Sequence, residues 1–102
     1  MARFDVYRNA SGGSPPLFVQ FQSEIHRHLK TCMVIPLRPR NQVSHGHVEY
    51  LFPMLEVEGE EYYLMTTEMG AVFTQQLGKK VASLEKQHFS IIAAVDFLFQ
   101  GF

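Results

Sequence analysis

The stretch from Ser83 to Phe102 constrains the chain more than any other. It reads Ser-Leu-Glu-Lys-Gln-His-Phe-Ser-Ile-Ile-Ala-Ala-Val-Asp-Phe-Leu-Phe-Gln-Gly-Phe, with neither Gly nor Pro before Gly101. Ser83 is placed to act as an N-cap, its hydroxyl accepting from a free amide of the first turn. Glu85 follows where a negative charge suits the positive end of the helix dipole. The spacing predicts a helix from here to Phe99, a rod of roughly 25 Å. Between Phe89 and Phe99 only Ser90 and Asp96 are polar. A surface helix of a small monomer needs one apolar stripe and one polar face. This one is apolar around most of its circumference, yet too short to span a membrane, which takes about 20 apolar residues. One side can rest on the chain's own core. The other side calls for a second chain, and the expectation is a homodimer whose interface includes Ile92, Val95, Phe97 and Leu98. A helix wrapped by its own sheet is the alternative. The Gln100-Gly101-Phe102 ending puts an aromatic ring behind a flexible glycine, as either a loose tail or a probe that enters a partner.

The rest of the chain must supply what that helix packs on. At 102 residues, with a hydrophobic fraction of 46 %, one domain over residues 1–102 with a real core is expected. Nine Phe and four Tyr, with no Trp, make that core aromatic. The net charge of −1 lacks the basic excess typical of polyanion-binding proteins. Direct nucleic-acid binding is therefore disfavoured. Cys32 is alone, so no intrachain disulfide is available. No signal peptide or membrane segment is read, which points to a soluble cytoplasmic protein.

Strand signals run through the N-terminal four-fifths of the chain. Arg3 to Tyr7 alternates. Asn9 to Pro16 is a loop by composition. Leu17 to Gln22 places Leu17, Val19 and Phe21 on one face. Cys32 to Ile35 is a continuous apolar run that suits a buried central strand, with Pro36 and Pro39 ending or edging it. Pro53 limits pairing within Val48 to Val57. Glu58-Gly59-Glu60 reads as a hairpin turn, with Tyr62 to Met65 returning from it. Thr66 to Val72 is ambiguous, Met69, Val72, Phe73 and Leu77 fitting one short helix or a bent strand, and Gly78 reads as a break before the helix. The class is mainly β (α+β): six or seven short strands in a small twisted sheet or half-barrel, closed by one C-terminal helix.

The residues give little catalytic chemistry. His26-x-His28 and His45-x-His47 have chelate spacing on a strand, but both fall in loop-like sequence without a third ligand. Solvated surface histidines are the simpler reading, and no metal or other cofactor is expected. Arg38 and Arg40 with His45 and His47 could serve a ribonuclease-type site, provided a cleft gathers them. Cys32 lies among core residues and reads as an inert thiol. Gly12-Gly13 leads into Ser-Pro-Pro and not into a helix, so it is no phosphate loop. Glu58, Glu60 and Glu61 read as a solvated turn. What remains is an apolar helix, an aromatic terminus and long loops, the profile of an interaction protein.

Phe4-Asp-Val-Tyr7, Leu17 to Ile25, Met33-Val-Ile-Pro-Leu37, Leu64 to Met69 and the ending Ile91 to Phe102 together resemble the CcdB family, the toxins of a bacterial toxin–antitoxin pair. The resemblance runs over essentially the whole length. It implies an SH3-like barrel with a small extra sheet and one C-terminal helix, in a homodimer that uses the helix region. It implies a poison of the DNA gyrase A subunit, neutralised by a CcdA-like antitoxin through which it reaches operator DNA and represses its own operon. Carried over by position, the gyrase-binding set is Ile25, His26, Asp96, Phe99, Gln100, Gly101 and Phe102. The best-known members end Trp-Gly-Ile, and that Trp stacks on a gyrase Arg. Here Gln100 holds the Trp position, Phe102 the Ile position and His26 another Ile position. A Gln hydrogen-bonds a guanidinium but cannot stack on it as an indole does, so weaker poisoning is implied. Two other classes stay open: an endoribonuclease like the MazF and Kid toxins, which share such a barrel, and a non-toxic homologue that only binds antitoxin.

Overall fold

The computed structural model describes residues 2–24, 28–43 and 49–101. Seven strands and one α-helix follow in order: β1 (Asp5–Asn9), β2 (Leu17–Gln20), β3 (Thr31–Pro39), β4 (Met54–Val57), β5 (Glu60–Leu64), β6 (Gly70–Phe73), β7 (Leu77–Ser83) and α1 (His88–Gln100). All pairings are antiparallel, and the path across the sheet is β4-β5-β3-β2-β1-β7. The strand β6 pairs with β3 off this path. The sheet curls into a half-barrel with the helix against it, the mainly β arrangement that the strand signals suggest and the SH3-like form that the family resemblance implies.

The strand β3 is the element the sheet turns on. Along one side it pairs with β2 from Val34 to Leu37. Along the other it is shared, with β6 at Thr31 to Val34 and β5 at Leu37 to Pro39. Pro36 lies at the split. Its carbonyl accepts from the Met65 N–H at 2.9 Å, on the β5 side. In an extended strand the amide position of a residue points the same way as its carbonyl. The donor that proline lacks therefore falls where β5 and β6 part and no ladder bond is needed. Of the two prolines expected to end or edge the strand, Pro36 does not end it, and Pro39 is its last residue.

Both faces of β2 are covered. Leu17 and Val19 join Ile35, Leu37, Leu64 and Ile91 in the main core, while Phe18 packs with Cys32 and Val34 on the other face. A side chain such as Ile35 or Leu64, once buried, contributes about 1.5–3 kcal/mol. The hairpin β4–β5 closes at Glu58-Gly59, both with positive φ (52° and 81°), between the paired Val57 and Glu60. That is the two-residue primed turn whose twist matches the strands.

Two other expectations need correction. Gly78 does not break the chain: it sits inside β7, and its Cα faces the β1 backbone so closely that an added Cβ would lie 3.1 Å from the Arg8 carbonyl oxygen. The α-helix begins at His88, after a 3-10 turn at Glu85–Gln87. Ser83 closes β7, and its Oγ accepts from the Glu85 N–H at 3.3 Å, but the N-cap position of the turn is Leu84. Gln87 then clips the edge strand β4. Its side-chain Oε1 accepts from the Glu56 N–H (3.3 Å), and its Nε2 donates to the Glu56 carbonyl (3.1 Å). One amide side chain thus takes the place of a missing neighbouring strand.

On β1, next to the other edge strand β7, Asp5 is buried and accepts from the Ala2 N–H (2.9 Å) and the Tyr7 hydroxyl (3.4 Å), with Lys80 Nζ 3.3 Å away. Burial, then the neighbouring Asp5 charge, pushes the Tyr7 phenol up from 10.0 to about 12.

Candidate functional site

The helix α1 lays Ile91, Ala94 and Val95 into the core, with Leu98 half-buried one turn further on. These positions are three and four apart, so they form one stripe. The opposite side carries Phe89, Ala93, Asp96 and Gln100, all exposed, with Phe99 beside them. Phe89 and Phe99 leave 78 % and 71 % of their surface in solvent, which marks an apolar face without a cover in the single chain. Of the predicted interface residues, Val95 belongs to the chain's own core, while Ile92, Phe97 and Leu98 are half-buried and remain within reach of a second chain.

The helix ends on Gly101 in the left-handed region, φ 79°. Its N–H donates to the Phe97 carbonyl at 2.8 Å, which satisfies one of the orphan acceptors of the last turn. A Cβ on Gly101 would meet nothing within 4 Å, so backbone conformation alone asks for glycine there. The last turn holds no basic residue. The negative end of the helix dipole and Asp96 therefore lie together with no cation beside them on the helix. Asp96 makes no ion pair among the described residues.

Tyr50, at the start of the segment leading into β4, stands against this end of the helix. Its ring centroid is 6.2 Å from that of Phe97, at an interplanar angle of 48°. Tyr50, Ala93, Asp96 and Phe97 line a surface hollow. Nothing local in the sequence singles out Tyr50, an aromatic in loop-like context whose partner Phe97 is far along the chain.

Of the carried-over set, Asp96, Phe99, Gln100 and Gly101 gather at this helix end, all solvent-exposed. Ile25, His26 and Phe102 lie outside the described residues, as do His45 and His47. The chain leaving β2 toward Ile25 is held by side chains: Gln20 Nε2 donates to the Gln22 carbonyl (2.8 Å), and Gln22 Oε1 accepts from the Met33 N–H (3.0 Å).

The candidate ribonuclease groups have other engagements. Arg38 donates through Nε and Nη2 to Glu68 Oε1 (3.2 and 3.0 Å) and through Nη1 to Ser14 Oγ (2.8 Å). Arg40 Nη1 donates to Glu61 Oε1 at 2.8 Å, and this bond with its charge raises the guanidinium further above its usual range. Cys32 is buried, and burial pushes its thiol up, away from the thiolate that a nucleophile needs. Among the described residues, no three His, Cys, Asp or Glu side chains gather as metal ligands. No described helix is long and apolar enough to cross a membrane.

A family model described as "CcdB protein" matches residues 3–101. Among solved structures, an endoribonuclease in complex with its cognate antitoxin, from a mycobacterial species, superposes with a TM-score of 0.76 at 13 % identity, covering 97 % of this chain and 94 % of that one. A second endoribonuclease from a mycobacterial species gives 0.74 at 12 % identity, with 97 % and 90 % covered. At such identities the likeness is one of fold.

Proposed function

The chain belongs to the CcdB family, whose model spans nearly all of it, and from that premise we propose that it is a toxin that binds and poisons the A subunit of DNA gyrase through the end of α1. A CcdA-like antitoxin neutralises it, and the two together repress their operon, with operator DNA contacted by the antitoxin. The observation that carries this reading is the family match over residues 3–101. The site geometry supports it: Asp96, Phe99, Gln100 and Gly101 are presented to solvent on a capped helix end instead of being used in the core. The working form is a homodimer in the cytoplasm, built over the apolar part of α1 around Ile92, Phe97 and Leu98.

Expression from a tight promoter, with and without the neighbouring reading frame, tests the proposal. Growth arrest relieved by the neighbour, with gyrase trapped on cleaved DNA, is the expected result. Arrest without trapped complexes removes gyrase as the target. No arrest at all leaves an antitoxin-binding protein without toxicity.

A second reading, RNA cleavage, has one observation in its favour: the structural neighbours named above are endoribonucleases with the same fold. Against it stand Arg38 and Arg40, each paired to a carboxylate. Cleavage of a defined RNA in EDTA, lost in Arg38→Ala or His47→Ala, would establish that reading in place of the first.

A further inference from the structure

The short strand β6 leaves one of its two edges open. Among the described residues it pairs only with β3, in the register Thr31↔Phe73, Cys32↔Val72 and Met33↔Ala71. Thr74 donates its N–H to the Lys30 carbonyl at 2.8 Å. In an antiparallel ladder bonded pairs alternate, so Val72 also faces β3, while Ala71 and Phe73 turn their N–H and C=O outward. The Phe73 N–H accordingly reaches the Gln76 side-chain Oε1 at 2.9 Å. The outward groups of Ala71 and the Phe73 carbonyl meet no partner among the described residues. The face beside this edge is apolar and uncovered. Thr31, Met33, Ala71 and Phe73 share it, because opposed residues of an antiparallel pair point to one side. Phe73 leaves 58 % of its surface in solvent, and Leu29 nearby leaves 53 %. At the end of β6, Lys30, Phe73, Thr74 and Gln75 line a hollow of about 380 Å³. Lys30 makes no ion pair among the described residues.

We propose that β6 is a docking edge for an extended segment of a protein partner. The segment adds to the sheet as a further strand, lays an apolar side chain on Phe73 and sets a carboxylate against Lys30. Backbone bonds to Ala71 and to the Phe73 carbonyl supply affinity, and the side chains supply the choice of partner. The other sheet edges are better guarded. Gln87 closes β4 by bonding both the N–H and the carbonyl of Glu56. On β7, Lys79 and Lys80 are exposed and the register against β1 slips twice, both of which discourage a further strand. At β6 the guard is one glutamine holding one N–H, and the Gln76 side chain is exposed and free to swing aside. The charge favours a foreign segment over a second copy. A second β6, Gly-Ala-Val-Phe, brings no carboxylate of its own, and Glu68 just before it is held by Arg38. This edge shares no residue with the helix end or with the apolar face of α1.

The test uses the full chain and a defined probe, the peptide acetyl-Glu-Leu-Val-Leu-Thr-amide, followed by amide NMR and hydrogen exchange. The peptide is expected to shift Ala71 and Phe73 and to slow exchange at the Ala71 amide. N-methylation of the peptide at every second residue, prepared in both phases, should abolish binding in one phase and spare it in the other, because only alternate amides of an added strand face the sheet. Replacing its Glu by Lys should raise Kd by about two- to fivefold, the weight of an exposed ion pair. Ala71→Pro removes the outward N–H without touching a bond to β3, so it should keep the fold and lose the peptide. No shifts at Ala71 and Phe73, equal effects of the two N-methylated phases, or binding unchanged in Ala71→Pro would each overturn strand addition. An Ala71 amide already protected in the free chain overturns it as well, since the edge is then covered by a second copy. Equal affinity for the Glu and Lys peptides overturns the role of Lys30. Should Ala71→Pro fail to fold, the two N-methylated peptides against the wild type decide the matter.

Discussion

Tyr7 and Gly78 show how much single positions carry in so small a sheet. The Tyr7 phenol keeps its proton to about pH 12 in the folded chain, against 10.0 ordinarily. Below pH 10 both states hold the proton and stability is unaffected. Above it the unfolded chain releases the proton first, so stability falls as pH rises through the window from 10.0 to about 12. Denaturant titrations across that window should show this decline, and Tyr7→Phe should flatten it. An equal slope in the variant would remove Tyr7 as the cause. Gly78 is a packing requirement. Gly78→Ala would press a methyl against the Arg8 carbonyl at 3.1 Å, and a cost of about 1–3 kcal/mol is expected in the unfolding free energy, as for overpacked sites. A variant as stable as the wild type would mean that β1 and β7 can move apart freely. The sequence alone suggests only a break at Gly78, because close approach by a strand some seventy positions away leaves no local mark.

Among the elements, the helix and the hairpin were legible in the sequence for strong local reasons. An uninterrupted apolar run and a turn centred on Gly59 need little context. The strand β7 was not legible. It lies at the edge of the sheet, and its register against β1 slips at two places, so the alternation that announces a strand is broken. Pro36 misled for a related reason, since its tolerance depends on which strands border β3. The helix-end site was read in part: Asp96, Phe99, Gln100 and Gly101 followed from the family resemblance, while Tyr50 depends on a tertiary contact. The element that invites a direct test is α1. Phe89 and Phe99 stand mostly in solvent, and Phe97 is only half-covered. Sedimentation at micromolar concentration should find a dimer, and Phe97→Asp should yield a monomer or an aggregate. A single 11.7 kDa species for the wild type would count against the dimer.

Over the whole molecule, the core and the candidate contact surface divide the helix lengthwise. Ile91, Ala94 and Val95 are buried in the core, and Phe99, Gln100 and Gly101 stand exposed at the proposed partner surface. Among the described residues, deleting Gly101 and Phe102 removes the backbone bond from the Gly101 N–H to the Phe97 carbonyl. The thermal stability should stay within about 1 kcal/mol of the wild type, as for surface changes. Antitoxin binding should largely persist, and gyrase A binding should disappear. Replacing Gln100 by Trp should strengthen gyrase binding, through stacking worth roughly 0.5–2 kcal/mol. Calorimetry against the gyrase A dimerisation domain checks both. A deletion that binds as well as the wild type, or that unfolds, would separate the helix end from the target.

The pairing of β1 with β7, from Asp5↔Ser83 to Asn9↔Leu77, has a consequence for timing. A chain growing on the ribosome exposes β1, β2 and β3 early, yet β1 must wait for residues 77–83 before its second side is covered. Leu84 and Ile91, which complete the core, emerge later still. A nascent chain stopped short of them has an open sheet edge and an unfilled core, and it also lacks the helix end that carries the candidate partner surface. Closure of the core and display of the proposed partner surface thus both wait for residues 84–100 to emerge, and a copy interrupted before them would be exposed to proteases.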